Sequence, residues 1–228
     1  MDSQQKVGAV IVAAGESQRM GGVDKVLALL GGKPVLARTI DVFQSCNSID
    51  RIVVVLSEQN LEPGKRLVVK EGWSKVTDVC PGGRRRQDSV VAGLSRLNDC
   101  HWVVIHDGAR PLVTEDLIAR GLREAKEIGA AVAAVPVTDT IKVVGGDRIV
   151  HQTLLRQNLW AVQTPQVFRY PIIAEAYRRA KGEATDDASL VEQMGGKVKL
   201  YMGAYDNIKI TTPDDLALAE ILWHKRGK

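Results

Sequence analysis

An α/β fold is what the sequence predicts: a mainly parallel sheet with helices on both faces and one protruding β-arm. Three observations carry that expectation. Continuous apolar runs such as VGAVIVAAG end in turn residues, as strands buried on both faces do. These runs alternate with stretches whose apolar residues recur at helical spacing. One stretch, 138–156, breaks the alternation with two extended segments around Gly145-Gly146-Asp147, a hairpin signal.

The elements follow in order. VGAVIVAAG (7–15) reads as the first buried strand. Pro34 takes a plausible first helical position in PVLARTIDVFQS, where Val35, Leu36, Ile40 and Phe43 share one face. RIVVVLS (51–57) is a second buried strand, followed by a weaker helix, EPGKRLVVKEGW, and a short strand, KVTDVC. Asp88 is a capping residue at the start of the helix DSVVAGLSRL. WVVIHDGARP is a third strong strand running into a turn at 107–111, and Thr114 and Gly129 bracket the helix after it. AAVAAVPV is a further strand, and beyond the hairpin LWAVQTPQVF returns to strand character. Helices start at Pro171 and Thr185, and KVKLYMG and NIKITT read as strands before a last helix from Pro213. No repeat or linker interrupts this pattern. It predicts one domain, 1–228, with the arm at about 138–158.

Composition narrows the function classes. With 228 residues, 45% hydrophobic and 25% charged, the chain has ordinary globular composition and can bury a sizeable core. Its net charge of +4 suits an anionic ligand. The longest basic run is Arg84-Arg85-Arg86 and aromatics are 4%, which argues against a nucleic-acid arm or a base-stacking platform. Cys46, Cys80 and Cys100 form no CxxC pair, so reduced thiols are expected rather than a zinc site or a disulfide framework. No apolar stretch approaches the roughly 18 residues of a membrane span, and no signal h-region stands out. The expectation is a soluble cytoplasmic protein.

In an open parallel sheet, ligands sit beyond the carboxyl ends of the strands. The loop from Gly15 to Lys25 leaves the first strand there, with glycines that let a phosphate approach the backbone and with Arg19 and Lys25 to meet its charge. It is not a P-loop, because GxxxxGK[ST] is missing. Nor is it a dinucleotide loop, because GxGxxG and an acidic residue near Ser57 are missing. A tight strand-to-helix turn with solvated charges would explain it alone. Other strand ends add weight: CPGGRRRQDSV (80–90), HDGARP (106–111) and AYDNIK (204–209) bring glycines, Arg or Lys, and the carboxylates Asp107 and Asp206 to one sheet edge. Two carboxylates with a polyphosphate point to Mg²⁺.

These residues resemble a known family over nearly the whole chain. The motifs AAGxSxRM (13–20), DK (24–25), GGxxRQDSV (82–90), HDGARP (106–111), DTIK (139–142), LWAVQTPQVF (159–168), TDDASL (185–190) and DNIKIT (206–211) are similar to those of the 2-C-methyl-D-erythritol 4-phosphate cytidylyltransferases of the non-mevalonate isoprenoid pathway. The resemblance implies a Rossmann-like nucleotidyltransferase fold. It also implies transfer of CMP from CTP to methylerythritol phosphate, with release of pyrophosphate. It implies that Arg19 and Lys25 hold the CTP phosphates and stabilise the transition state, and that Ala13, Ala14, Gly15 and Ser17 line the nucleotide. Gly82, Asp88 and Ser89 would surround the cytosine, Gly108 the ribose, and Asp107 and Asp206 the Mg²⁺. Asp107, Arg110, Thr140, Arg156, Thr164, Thr185 and Lys209 would surround the alcohol phosphate, with Arg156 and Lys209 orienting it. The arm would reach into a second subunit and make a homodimer.

Departures from the family pattern are small. Ser17 stands where Gly is frequent, Asp24 and Val26 where Pro and Gln are frequent, and Arg84 and Arg85 carry no implied role. His106 invites a general-base reading, but a phosphate nucleophile is already ionised, so a structural role is expected. Two alternatives stand beside this reading. One is a cytidylyltransferase for another polyol phosphate such as ribitol 5-phosphate, and the other is a non-catalytic nucleotide-sensing module.

Overall fold

The computed structural model describes residues 5–15 and 25–227. The chain runs β1 (Val7–Ala13), β2 (Leu29–Leu30), β3 (Lys33–Pro34), α1 (Val35–Ser45), β4 (Arg51–Leu56), α2 (Leu61–Glu71), β5 (Val76–Pro81), α3 (Arg86–Leu94) and β6 (Trp102–Asp107). It continues with α4 (Glu115–Ile128), β7 (Ala130–Pro136), β8 (Lys142–Val144), β9 (Val150–Thr153), β10 (Trp160–Arg169), α5 (Tyr170–Arg179), α6 (Asp187–Gln193), β11 (Lys199–Met202) and α7 (Pro213–Lys225). Seven strands form one sheet in the order β11-β7-β10-β6-β1-β4-β5. All neighbours are parallel except β10, which is antiparallel to both β6 and β7.

Strand alternation divides the core in two. Val7, Ala9, Ile11 and Ala13 of β1 face a cluster with Leu36, Ile40 and Phe43 of α1 and Leu117 and Ile118 of α4. Val10 and Val12 face the other side, against Val90 and Leu94 of α3, Ile173 of α5 and Leu190 of α6. Both sheet faces are therefore covered, which is why β1 reads as an unbroken apolar run. The expected Thr114 cap is present: its side chain accepts from the Leu117 N–H. Gly129 ends α4 at φ 90°, a left-handed conformation that favours glycine.

Three details differ from expectation. Helix α3 begins at Arg86, and Asp88 sits at its third position, accepting from the Arg85 N–H in a capping box, rather than standing before the helix. NIKITT does not join the sheet: residues 207–211 form a loop in which the Ile210 N–H donates to Ala109 O. A two-residue hairpin, β2–β3, turns on Gly31 and Gly32, both at positive φ.

Two irregularities shape the site. The pairing of β10 with β7 shifts register between Val162 and Gln166; within the shift, Thr164 Oγ1 accepts from the Asp107 N–H at the carboxyl end of β6, and Gln163 bonds to Ala204 in the loop after β11. The expected arm is an antiparallel hairpin, β8–β9, outside the main sheet and exposed along its length.

Candidate active site

Two adjoining cavities open along the carboxyl ends of the parallel strands. The larger, about 830 Å³, is lined by Ala13, Ala14, Gly15, Lys25, Gly82 and Ser89 among others. The smaller, about 410 Å³, is lined by Arg110, Gln163, Thr164, Thr185 and Ser189 among others. Arg86, Asp107 and Lys209 line both. Gly82 is needed where the loop after β5 closes on β1. A Cβ there would lie 2.3 Å from the Ala14 Cβ and 2.6 Å from the Ser89 Oγ. Ser89 in turn holds this loop by accepting from the Gly83 N–H at 3.2 Å.

Charge at the junction converges on one carboxylate. Lys209 Nζ lies 2.9 Å from Asp107, Arg86 Nε 3.4 Å and Arg110 Nε 3.6 Å. Burial pushes the Asp107 carboxyl up, but Arg86, Lys209 and Arg110 overcome it and hold the group well below the usual carboxylate range. Arg86 also makes a two-pronged bond with Asp187 at 2.9 and 2.8 Å, and Asp187 accepts from the Tyr177 hydroxyl. Burial opposes the charge on Arg86, and Asp187 and Asp107 more than offset it. The buried Nε of Arg110 has no hydrogen-bond acceptor, while its Nη1 donates to Asn207 O at 2.7 Å. A cavity ringed by cations, with a buried donor lacking an acceptor, is suited to an anionic oxygen.

His106 is fully buried, with Nε2 3.2 Å from Arg110 O and Nδ1 3.0 Å from Thr164 Oγ1. Burial holds its pKa down at about 4, so the ring is neutral at neutral pH. Both ring nitrogens are engaged away from the cavities, in agreement with the structural role expected of it.

The sequence profile described as IspD, 2-C-methyl-D-erythritol 4-phosphate cytidylyltransferase, matches residues 7–225. The chain belongs to this family. A relative of that name from Dehalococcoides mccartyi is 58% identical over 221 residues, covering 97% of each chain. A crystal structure of a 4-diphosphocytidyl-2C-methyl-D-erythritol synthase from Anaerococcus prevotii superposes with a TM-score of 0.86 at 29% identity, covering 97% of each chain. The Thermus thermophilus cytidylyltransferase gives 0.77 at 33% identity, covering 96% of this chain and 99% of that one.

The structure brings most of the residues that family resemblance singles out to these cavities. Ala13, Ala14, Gly15, Lys25, Gly82, Ser89, Asp107 and Lys209 line the larger one, and Asp107, Arg110, Thr164, Thr185 and Lys209 the smaller. Ser17 and Arg19 lie outside the described residues. Five residues are placed differently. Asp88 lines neither cavity, because its carboxylate caps α3 and pairs with Arg85 at 2.7 Å. Gly108 lines neither; it packs against Ala13, and its N–H donates to Val12 O at 2.8 Å. Asp206 also lines neither. Its carboxylate pairs with Arg226 at 2.5 Å, beyond the end of α7. Thr140 and Arg156 sit on or beside the exposed arm, where Arg156 Nη1 donates to Thr138 O at 2.7 Å.

Arg86 and Asp187 stand in the motifs GGxxRQDSV and TDDASL without an assigned role, and the structure supplies one by joining them across 101 residues at the junction. Replacing the fully buried Asp187 with Ala is expected to destabilise the fold by about 2–3 kcal/mol. That is below the roughly 3–5 kcal/mol of a fully buried broken pair, because the Arg86 side chain is partly exposed. Urea denaturation measures this, and a loss under about 1 kcal/mol would show that the pair is screened as surface pairs are.

Proposed function

We propose that this chain transfers CMP from CTP to 2-C-methyl-D-erythritol 4-phosphate, forming 4-diphosphocytidyl-2-C-methyl-D-erythritol and pyrophosphate. The observation that carries the reading is the shared wall of two cavities, formed by Arg86, Asp107 and Lys209. The larger cavity would take the nucleotide and the smaller the alcohol phosphate, so that a phosphate oxygen reaches the α-phosphorus in line. One P–O bond forms, the bond to the bridging oxygen breaks, and its electron pair leaves with pyrophosphate. No general base is needed, since the attacking phosphate is already ionised. Positioning and charge stabilisation then carry the rate. Lys25 meets the nucleotide phosphates at the end of β1, and Lys209 and Arg110 hold the alcohol phosphate. Family membership favours this acceptor over ribitol 5-phosphate, and convergent cations at a phosphate junction favour an enzyme over a sensing module.

The metal reading is narrower than the sequence suggested. Among the described residues, no three His, Cys, Asp or Glu side chains gather to hold an ion. Of Asp107 and Asp206, only Asp107 lines the cavities. One carboxylate suits a Mg²⁺ that arrives on the triphosphate and takes its other ligands from phosphate and water. Asp107 would hold the ion, which supplies neutralisation of the phosphate charge.

The assembly reading is a homodimer with exchanged arms. Ile149 is 62% and Leu155 69% exposed, and an isolated hairpin is marginal in water. Thr140 and Arg156 line neither of the two cavities described, which supports a role in a partner's site. Among the described residues no helix is long and apolar enough to cross a membrane. The free, buried Cys46, Cys80 and Cys100 support a cytoplasmic setting.

Pyrophosphate release with each nucleotide tests the reaction. CTP is expected to exceed UTP by at least about tenfold in kcat/KM: a base site that accepts from the cytosine amino group would set an acceptor against the uracil carbonyl, a mismatch that costs about 1–3 kcal/mol. Equal use of the two nucleotides would return the chain to a generic nucleotidyltransferase. Full activity in excess EDTA would remove Asp107 from any metal role.

A further inference from the structure

Ser57 stands just past the carboxyl end of β4 and lines the larger cavity. Its hydroxyl oxygen is buried, and among the described residues it has no hydrogen-bond partner. Buried polar groups in folded proteins are nearly always paired, so an unpaired one calls for an explanation. The local fold offers a partner and leaves it unused. Ser57 precedes the single 3₁₀ turn Glu58–Asn60, where a serine ordinarily accepts from an N–H of the turn, and it makes no such bond.

The register of the sheet sets Ser57 between two residues that family resemblance places against the nucleotide. Ala13 of β1 pairs with Leu56 of β4, and Leu56 pairs with Pro81 of β5. The next residues along these three strands are Ala14, Ser57 and Gly82, and all three line the larger cavity. The Gly82 N–H donates to Leu56 O at 2.7 Å, which ties the loop after β5 to the residue before Ser57. Neighbouring strands run in the order β6-β1-β4-β5. Asp107 ends β6, and Lys25 lines the cavity with Gly15 beyond β1. A nucleotide whose phosphates sit at that side extends its base over β4 and β5, toward Ser57. Rotation about χ1 moves a serine hydroxyl among three staggered wells, so it can turn into the cavity when a ligand offers a partner. A hydroxyl both donates and accepts, and the edge of cytosine carries an amino donor beside two acceptors.

We propose that the Ser57 hydroxyl is a further nucleotide-recognition group, bonding the polar edge of the pyrimidine base in the larger cavity. The proposal rests on the reading of that cavity as the nucleotide site. In the substrate-free protein the hydroxyl is left unpaired, and the base pairs it. Its contribution therefore appears in affinity for the nucleotide and not in the stability of the fold.

Titration calorimetry with CTP and Mg²⁺ compares wild type with Ser57→Ala. The variant is expected to bind CTP about 3–10-fold more weakly, the worth of one neutral hydrogen bond. Its kcat/KM for CTP should fall by a similar factor. Deoxy-CTP, which lacks the ribose 2′-hydroxyl, should lose as much, and inorganic tripolyphosphate should bind both proteins equally. The thermal midpoint of the substrate-free variant should stay level or rise, because no bond of the fold is removed. A serine with a purely structural role predicts the reverse, a lower midpoint with CTP affinity intact. Equal CTP affinity in the two proteins would overturn the proposal. So would a loss shared by tripolyphosphate, which would assign the hydroxyl to the phosphates, or a loss confined to CTP and absent with deoxy-CTP, which would assign it to the ribose. A midpoint lowered by more than about 4 °C would also overturn it. A wild type that binds no CTP ends the nucleotide-site reading and the proposal with it. A wild type that binds CTP and releases no pyrophosphate ends the transfer reading alone, and the affinities still decide the role of Ser57.

Discussion

Lys25→Met is expected to lower kcat by about 10²–10³-fold in a protein that still folds, the cost of one preorganised donor at a transition state. Lys25 lines the nucleotide cavity with Gly15, and its Nζ lies 3.8 Å from where a Cβ on Gly15 would stand. The ammonium therefore leans over the end of β1, where glycine leaves room for a phosphate. Charge on the α-phosphoryl group grows as the alcohol phosphate attacks, so this contact strengthens on the way to the transition state. Steady-state kinetics should show the loss in kcat more than in KM for CTP. A folded variant with near-normal kcat would remove Lys25 from the chemistry. Sequence resemblance assigns Arg19 the same part, and it lies outside the described residues.

The nucleotide side of this site was the more legible in the sequence. β1, β4 and β6 are buried on both faces, and continuous apolar runs announce such strands without any partner being known. The loops at their carboxyl ends are then located by topology alone. The arm was legible because its Gly-Gly-Asp turn is local chemistry. What escaped depends on partners far apart in the chain. Arg86 gains its meaning from Asp187, and Asp206 loses its expected place because Arg226 takes its carboxylate. NIKITT has the alternation of a strand. Yet Asn207 and Ile210 are fully buried while the segment is held by loop contacts, which periodicity cannot distinguish from a ladder.

Arg156→Ala is expected to be nearly as inactive as Lys25→Met, although Arg156 lines neither cavity that the described residues form at the strand ends. The proposed exchange of arms explains how both can be true, and co-expression separates it from a defect within one chain. In an exchanged dimer, Lys25 of one subunit works with Arg156 of the other. A mixed dimer of the two variants then holds one site with both lesions and one site with neither. Under random pairing half the dimers are mixed, and each has one good site of two, so about one quarter of wild-type activity should return. Native mass spectrometry checks that mixed dimers form. Two-fold symmetry makes the ratio informative, because a loose association of inactive chains gives no fixed fraction. If mixed dimers form and activity stays at the level of the separate variants, Arg156 acts within its own chain. The exposed apolar residues of the arm, Ile149 and Leu155 among them, would then need a different cover.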